Sequence, residues 1–184
     1  MTIYLPKTAY QTLSIKDSTG DITVHKELSF QTTEIQTTTG DVKYYANTAT
    51  SLKIKTTTGD IRVESITAGL VGLTVSTGEI DVKDISCAEF TSEGSTGDIE
   101  LENVLVTATL SIVRDTGDVE FTACDAGEIV IETDTGDVEG TLLSDKIFIT
   151  ETDTGRIDVP KTTTGGRCQI TTDTGDIKIK IVNA

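Results

Sequence analysis

Four aspartates stand directly before a Thr-Gly pair: Asp115, Asp134, Asp153 and Asp173. In acid proteolysis an Asp-Thr-Gly loop holds one of two carboxylates that share a proton. That chemistry needs one such loop on each of two facing lobes. Here the same slot holds Ser18, Thr38, Thr57, Ser76 and Ser95 earlier in the chain. The tripeptide therefore reads as a variant of a repeated bend, and no catalytic residue is assigned. The residue after the glycine is Asp21, Asp41, Asp60, Glu79, Asp98, Asp118, Asp137, Arg156 and Asp176 in turn. If the repeats stack, these form one acidic column, and Asp115, Asp134, Asp153 and Asp173 form a second beside it. Like charges one repeat apart repel by roughly 1 kcal/mol in water and several times that at lower dielectric. Hydrogen bonds from corner backbone N–H groups could relieve this, with Arg156 and solvent screening the remainder. The rival is a row of Ca²⁺ sites, because hard cations prefer carboxylate and carbonyl oxygens. Its candidate ligands are Asp115, Asp118, Asp134, Asp137, Asp153, Asp173 and Asp176. The calcium-binding nonapeptide G-G-x-G-x-D is absent, so the expectation is no metal and no cofactor.

The remaining chemistry is sparse. Thr-x-Thr recurs at Thr37/Thr39, Thr56/Thr58, Thr133/Thr135, Thr152/Thr154 and Thr172/Thr174. A flat array of this kind would suit ice binding, but Val75, Gly94 and Arg114 interrupt it. Sugar recognition favours exposed aromatics, and Tyr44, Phe90, Phe121 and Phe148 fall on inward positions, leaving Tyr4, Tyr10 and Tyr45. His25 is the sole histidine and falls outward, so no histidine pair or triad is available. Cys87, Cys124 and Cys168 are odd in number and lack C-x-x-C spacing; they read as small buried residues. Carboxylate pairs of the glycosidase kind do not stand out from the repeat.

What must position these residues is the repeat itself. The Thr-Gly glycines are Gly20, Gly40, Gly59, Gly78, Gly97, Gly117, Gly136, Gly155 and Gly175, nine units at a spacing of 19 or 20. Apolar residues alternate on both sides of each glycine, the signature of strands with one buried face. They lie five and seven residues upstream (Leu52 and Ile54) but two and four downstream (Ile61 and Val63). One continuous strand would send the two sets to opposite faces, so the Thr-Gly step must be a corner. A second small or turn-like site lies about ten residues before each glycine, at Gly69, Ala88, Ala108, Gly127, Ser144-Asp145 and Gly165-Gly166. A further apolar residue lies between the corners, at Ile66, Ile85, Val104 and Leu143. No helical periodicity of useful length exists, and an odd number of 19-residue units does not make propeller blades.

The expected fold is all-β, a parallel β-solenoid (β-helix) of about nine 19–20-residue coils, each stacked on the last. The sequence does not set its hand. At ~4.8 Å per coil the rod is roughly 43 Å long. Composition is even from end to end, so residues 1–184 read as one domain. Apolar residues make up 36% and aromatics 4%, which suits a thin core of Ile, Val and Leu. Open ends would template further pairing; Pro6 and Lys7 at the start and Lys178 and Lys180 near the finish read as blunting devices. The formal net charge of −15 repels phosphate backbones and anionic lipid, while basic partners and cations stay compatible. No apolar stretch approaches the roughly 20 residues of a membrane span, and the first residues do not read as a signal peptide. The chain is then either cytosolic or the mature or trimmed part of a longer envelope protein.

The stretches Leu52-Lys53-Ile54-Lys55-Thr56-Thr57-Thr58-Gly59-Asp60-Ile61-Arg62-Val63 and Ile170-Thr171-Thr172-Asp173-Thr174-Gly175-Asp176-Ile177, with the lead-in Leu5-Pro6-Lys7, resemble the bacterial adhesin-like family of β-strand-repeat domains. The resemblance covers nearly the whole chain. It implies a domain of unknown function in a cell-envelope or extracellular setting, often with a membrane anchor that this chain does not show, and it supplies no functional residues. The expected role is a non-enzymatic structural or binding scaffold with an unidentified protein or envelope partner and no nucleic acid. The rivals are a polysaccharide-acting β-helix enzyme, a calcium-binding solenoid and a cytosolic assembly module.

Overall fold

The computed structural model describes residues 2–182. Every regular element among them is a strand, and every strand pair is parallel. The chain forms the expected solenoid, with coils here numbered 1 to 9 by their corner glycines in sequence order.

Coils 3 to 6 have three bends each, one more than the sequence reading required. The first is the Thr-Gly corner, where Gly59 has φ +132° and Gly97 φ +123°. A Cβ on Gly59 would lie 2.3 Å from the carbonyl oxygen of Gly40 below it. Positive φ and a backbone neighbour at that range admit only glycine. Six residues later Ser65, Asp84, Asn103 and Ala123 take φ between 53° and 58° in coils 3 to 6. Asp and Asn tolerate this left-handed conformation through local hydrogen bonding, and the Asn103 side chain donates to Asp84 Oδ1 of the coil below at 2.8 Å. The third bend is the small-residue site. There the register between strands slips, between Cys87 and Glu89 and between Ala126 and Glu128, while the strands Ile80–Thr96, Ile99–Thr116 and Val119–Thr135 run through it. Ala88, Ala108 and Gly127 therefore mark bulges in continuous strands.

Core columns follow the alternation. Leu13, Thr33, Leu52, Val71, Phe90, Leu110, Ile129, Cys168 and Phe148 lie one above another, and Ile61, Ile80, Ile99 and Val119 form a second column. On the third side Ile66, Ile85, Val104 and Cys124 are buried. Here the next layer is filled by Leu142, which pairs with Cys124; Leu143, the expected residue, is only half-buried. All three cysteines are free and buried. Tyr44, Phe90 and Phe121 point inward as expected, Phe148 is half-covered, and Tyr10 stacks on Phe30 at 5.8 Å between ring centroids.

The expectation that each coil rests on the one before it holds for coils 1 to 7 and fails after them. Gly166–Thr174 of coil 9 pairs with coil 7 on one side and with Lys146–Thr154 of coil 8 on the other. Likewise Ile177–Ile181 lies between Val138–Leu142 and Ile157–Asp158. The spatial order is thus 7, 9, 8: the chain steps over one layer to build coil 8, then returns to fill the gap. Lys178 and Lys180 consequently sit inside the stack and do not blunt its end. Coil 8 is the terminal layer, and its Ile157 is 45% exposed where Val119, Val138 and Ile177 in the same column are fully covered.

Candidate functional site

The acidic corner column is tied together by its own backbone. Asp21 Oδ1 accepts the Asp41 N–H at 3.1 Å, Asp41 accepts from Asp60 at 3.0 Å, and Asp60 from Glu79 at 2.9 Å. The ladder resumes with Asp98 accepting from Asp118, Asp118 from Asp137, Asp137 from Asp176, and Asp176 from the Arg156 N–H, all at 2.7 to 2.8 Å. Each carboxylate thereby caps the corner of the next layer, which offsets the repulsion within the column. Of the candidate cation ligands, Asp118, Asp137 and Asp176 spend one oxygen in this way. Asp115, Asp134, Asp173 and Asp153 form the neighbouring exposed column, in that spatial order. Among the described residues no group of three or more His, Cys, Asp or Glu side chains is arranged to hold a metal ion.

The Thr-x-Thr pairs do not make a flat array. Thr37, Thr56, Thr133 and Thr172 are buried and Thr152 is half-buried, and only Thr39, Thr58, Thr135, Thr154 and Thr174 face out. The inward threonines work on the corner: Thr56 Oγ1 donates to Gly40 O, Thr172 Oγ1 to Gly136 O, and Thr152 Oγ1 to Gly175 O. Val75, Gly94 and Arg114, which interrupt the pattern, occupy this same inward column. Arg114 is accordingly buried in the core. Its Nη2 donates to Ser92 Oγ at 2.9 Å, while Nε and Nη1 have no protein partner. Burial lowers its pKa to about 10. Gly94 makes the room: a Cβ there would lie 1.9 Å from Arg114 Nη1.

A second cluster was not found from the sequence. Lys146, buried at the start of coil 8, donates to Asp125 Oδ1 at 2.5 Å and to Ser144 Oγ at 2.6 Å, and Ser144 donates to Asp125 at 3.0 Å. The three groups satisfy one another beside a shallow groove of about 340 Å³ that also touches Leu105 and Gly166. They lie where the chain steps over the layer later filled by coil 9. Asp125 belongs to the side before the step and Lys146 to the side after it, so the ion pair clips the two together. A lone lysine amid apolar neighbours was the available signal, and it carried meaning only once the step was known.

Outward acidic side chains gather on the middle coils. Glu79, Asp81, Asp98, Glu100, Asp118 and Glu120 line a shallow cleft of about 200 Å³. His25 is exposed. The buried thiols are chemically quiet: desolvation pushes Cys87 and Cys124 up to about 11 and Cys168 to about 12. Among the described residues no helix is long and apolar enough to cross a membrane.

Comparison with known proteins agrees with this geometry. No curated protein and no solved structure matches the chain. A family model described as Toastrack DUF4097, a domain of unknown function with a β-strand repeat fold, matches residues 1–180. With nearly every residue inside that match and the repeat underlying the whole stack, the chain belongs to the Toastrack DUF4097 family.

Proposed function

We propose that this chain is a non-enzymatic scaffold, an adhesin-like rod that works in a bacterial cell envelope by presenting its faces to a macromolecular partner. The observation that carries the reading is where the polar groups go. Most corner carboxylates bond the next layer, Thr56, Thr152 and Thr172 bond corner carbonyls, and Lys146, Asp125 and Ser144 bond each other. Little is left aimed into a cleft as an acid–base or nucleophilic pair would be. A polysaccharide-acting enzyme would call for such a pair, and the acidic middle cleft is the place to look for it.

The test is to incubate the chain with isolated cell-wall and membrane fractions and measure retention together with release of reducing ends. Retention without turnover is expected. Reducing-end release that disappears on Glu100→Gln or Glu120→Gln would replace the scaffold with the enzyme. For the calcium alternative, a titration monitored by melting temperature is expected to show no shift.

A further inference from the structure

We propose that the two ends of the rod are complementary and that a second copy of this chain docks head to tail, its coil 1 continuing the stack beyond coil 8. Among the described residues both edges are open: Ala9–Lys16 pairs only with the strand of coil 2, and Lys146–Thr154 pairs only with the strand of coil 9, with Thr162 Oγ1 donating to Lys146 O at its first residue. The backbone rule of the stack states what would meet. In each layer the corner glycine N–H donates to the threonine carbonyl of the next layer, as from Gly40 to Thr58 and from Gly175 to Thr154. The N–H two residues later donates to the carbonyl just after the next corner, as from Ile61 to Glu79 and from Ile177 to Arg156. Carried one layer further, Gly155 and Ile157 donate to Thr19 and Asp21 of a second copy.

The side chains along that register agree. The column Lys16, Gln36, Lys55, Thr74, Glu93, Val113, Glu132, Thr171 ends on Glu151, so Glu151 meets Lys16. The corner column is acidic throughout except for Arg156, which is in the terminal layer and meets Asp21. The apolar columns bring Phe148 over Leu13 and cover Ile157. No like-charged pair arises along the extended columns. Net charge is distributed to match: residues 7–28 carry three basic and three acidic side chains, as do residues 146–161. Both ends are formally neutral, and the charge of −15 resides in the remaining coils, where it would oppose side-by-side association. Such a heterologous contact does not close on itself and extends into a filament.

Sedimentation velocity across rising concentration tests this directly. The wild-type chain is expected to lengthen into rods of two and more copies. Glu151→Lys and Lys16→Glu, both at exposed positions, are each expected to weaken association about tenfold or more while leaving circular dichroism and melting unchanged. Mixed together, the two variants restore both junctions and should co-assemble in alternation, and the double variant K16E/E151K should assemble alone. A chain that stays monomeric throughout, or a closed dimer indifferent to both reversals, overturns the proposal.

Discussion

Coils 3 to 6 and coils 7 to 9 are written in the same repeat and built by different routes. In the first group each coil pairs with its sequence neighbours, and its three bends recur at the same offsets. In the second group coil 9 enters between coils 7 and 8. Yet a layer-by-layer walk through the stack scarcely registers the change: the glycine contacts, the threonine bonds and the carboxylate ladder pass from coil 7 to coil 9 to coil 8 without interruption. The lesson is that the repeat specifies an interface between layers and leaves the order of layers to the connections. Where the order departs from the sequence, the fold carries an added device, the Lys146–Asp125 clip.

The comparison breaks most visibly on truncation. Removing residues 161–184 takes Cys168, Ile170, Ile177 and Ile179 from the core, four buried side chains at ~1.5–3 kcal/mol each, about 6–12 kcal/mol in all. It also leaves coil 8 hanging over an empty layer. Hydrogen exchange should then find residues 146–158 unprotected, and the melting temperature should be no higher than when residues 143–184 are removed. Protection retained in coil 8 would mean that it can rest on coil 7 and that the order 7, 9, 8 is wrong.

At the corners the two regions should respond alike. A Cβ on Gly59 lies 2.3 Å from Gly40 O, and one on Gly175 lies 2.0 Å from Gly136 O, a partner 39 residues away in sequence. Gly59→Ala and Gly175→Ala are each expected to cost more than about 4 kcal/mol in urea unfolding. Gly20 at the head has no layer beneath it, only Asp17 Oδ2 at 3.3 Å, so Gly20→Ala carries the backbone penalty alone, about 1–3 kcal/mol.

The clip separates the regions next. Lys146→Met leaves Asp125, whose side chain is only 28% exposed, without its cation and is expected to cost about 3 kcal/mol. An ion pair of the regular coils, Lys83–Glu102 at 2.7 Å, is largely open to solvent, and Lys83→Met should leave the melting temperature nearly unchanged.

The thiols give a local readout of the same contrast. Their pKa values are raised in the folded chain, from 9 to about 11 for Cys87 and Cys124 and to about 12 for Cys168. Above pH 9 the unfolded chain loses thiol protons that the folded chain retains. The associated stability is therefore complete below pH 9 and is lost as pH climbs toward 11–12, by up to about 1.4 kcal/mol per thiol per pH unit. Replacing all three with alanine should flatten that decline. At neutral pH none should react with iodoacetamide in the native state, and Lys146→Met should speed labelling of Cys168 in the inserted coil while leaving Cys87 unchanged.

The smallest effect belongs to the left-handed bend six residues after the corner glycine. Ala123 adopts φ 53° where coil 5 has Asn103 in the same conformation, and Ala123→Asn is expected to add about 0.5–1 kcal/mol in thermal unfolding. No gain would show that the Thr141 Oγ1 bond to the Ala123 N–H, at 2.8 Å, already holds that bend.

Much of this was legible in the residues. The glycine spacing and the change of parity across it gave the parallel solenoid and the corner, and the small-residue sites gave a second bend. The left-handed bend was not legible because its residues are Ser65, Asp84, Asn103 and Ala123, of which only two advertise that conformation. The interruption by Val75, Gly94 and Arg114 already counted against a flat threonine array, but pattern alone does not say which of Thr56 and Thr58 points inward beside a corner. Arg114 read as a gap in that array and proved to be a buried cation over Gly94.

By itself, then, the sequence determined the layer: its strands, its glycine corner, its apolar lining and its acidic rim. These depend on neighbours a few residues apart, and backbone sterics with side-chain alternation decide them locally. Only the tertiary structure decided which layer lies on which, because nine nearly equivalent interfaces are interchangeable in pattern. The step between Ser144 and Lys146 and the return through residues 159–165 select one order among them, and with it which coil is left facing solvent at the tail.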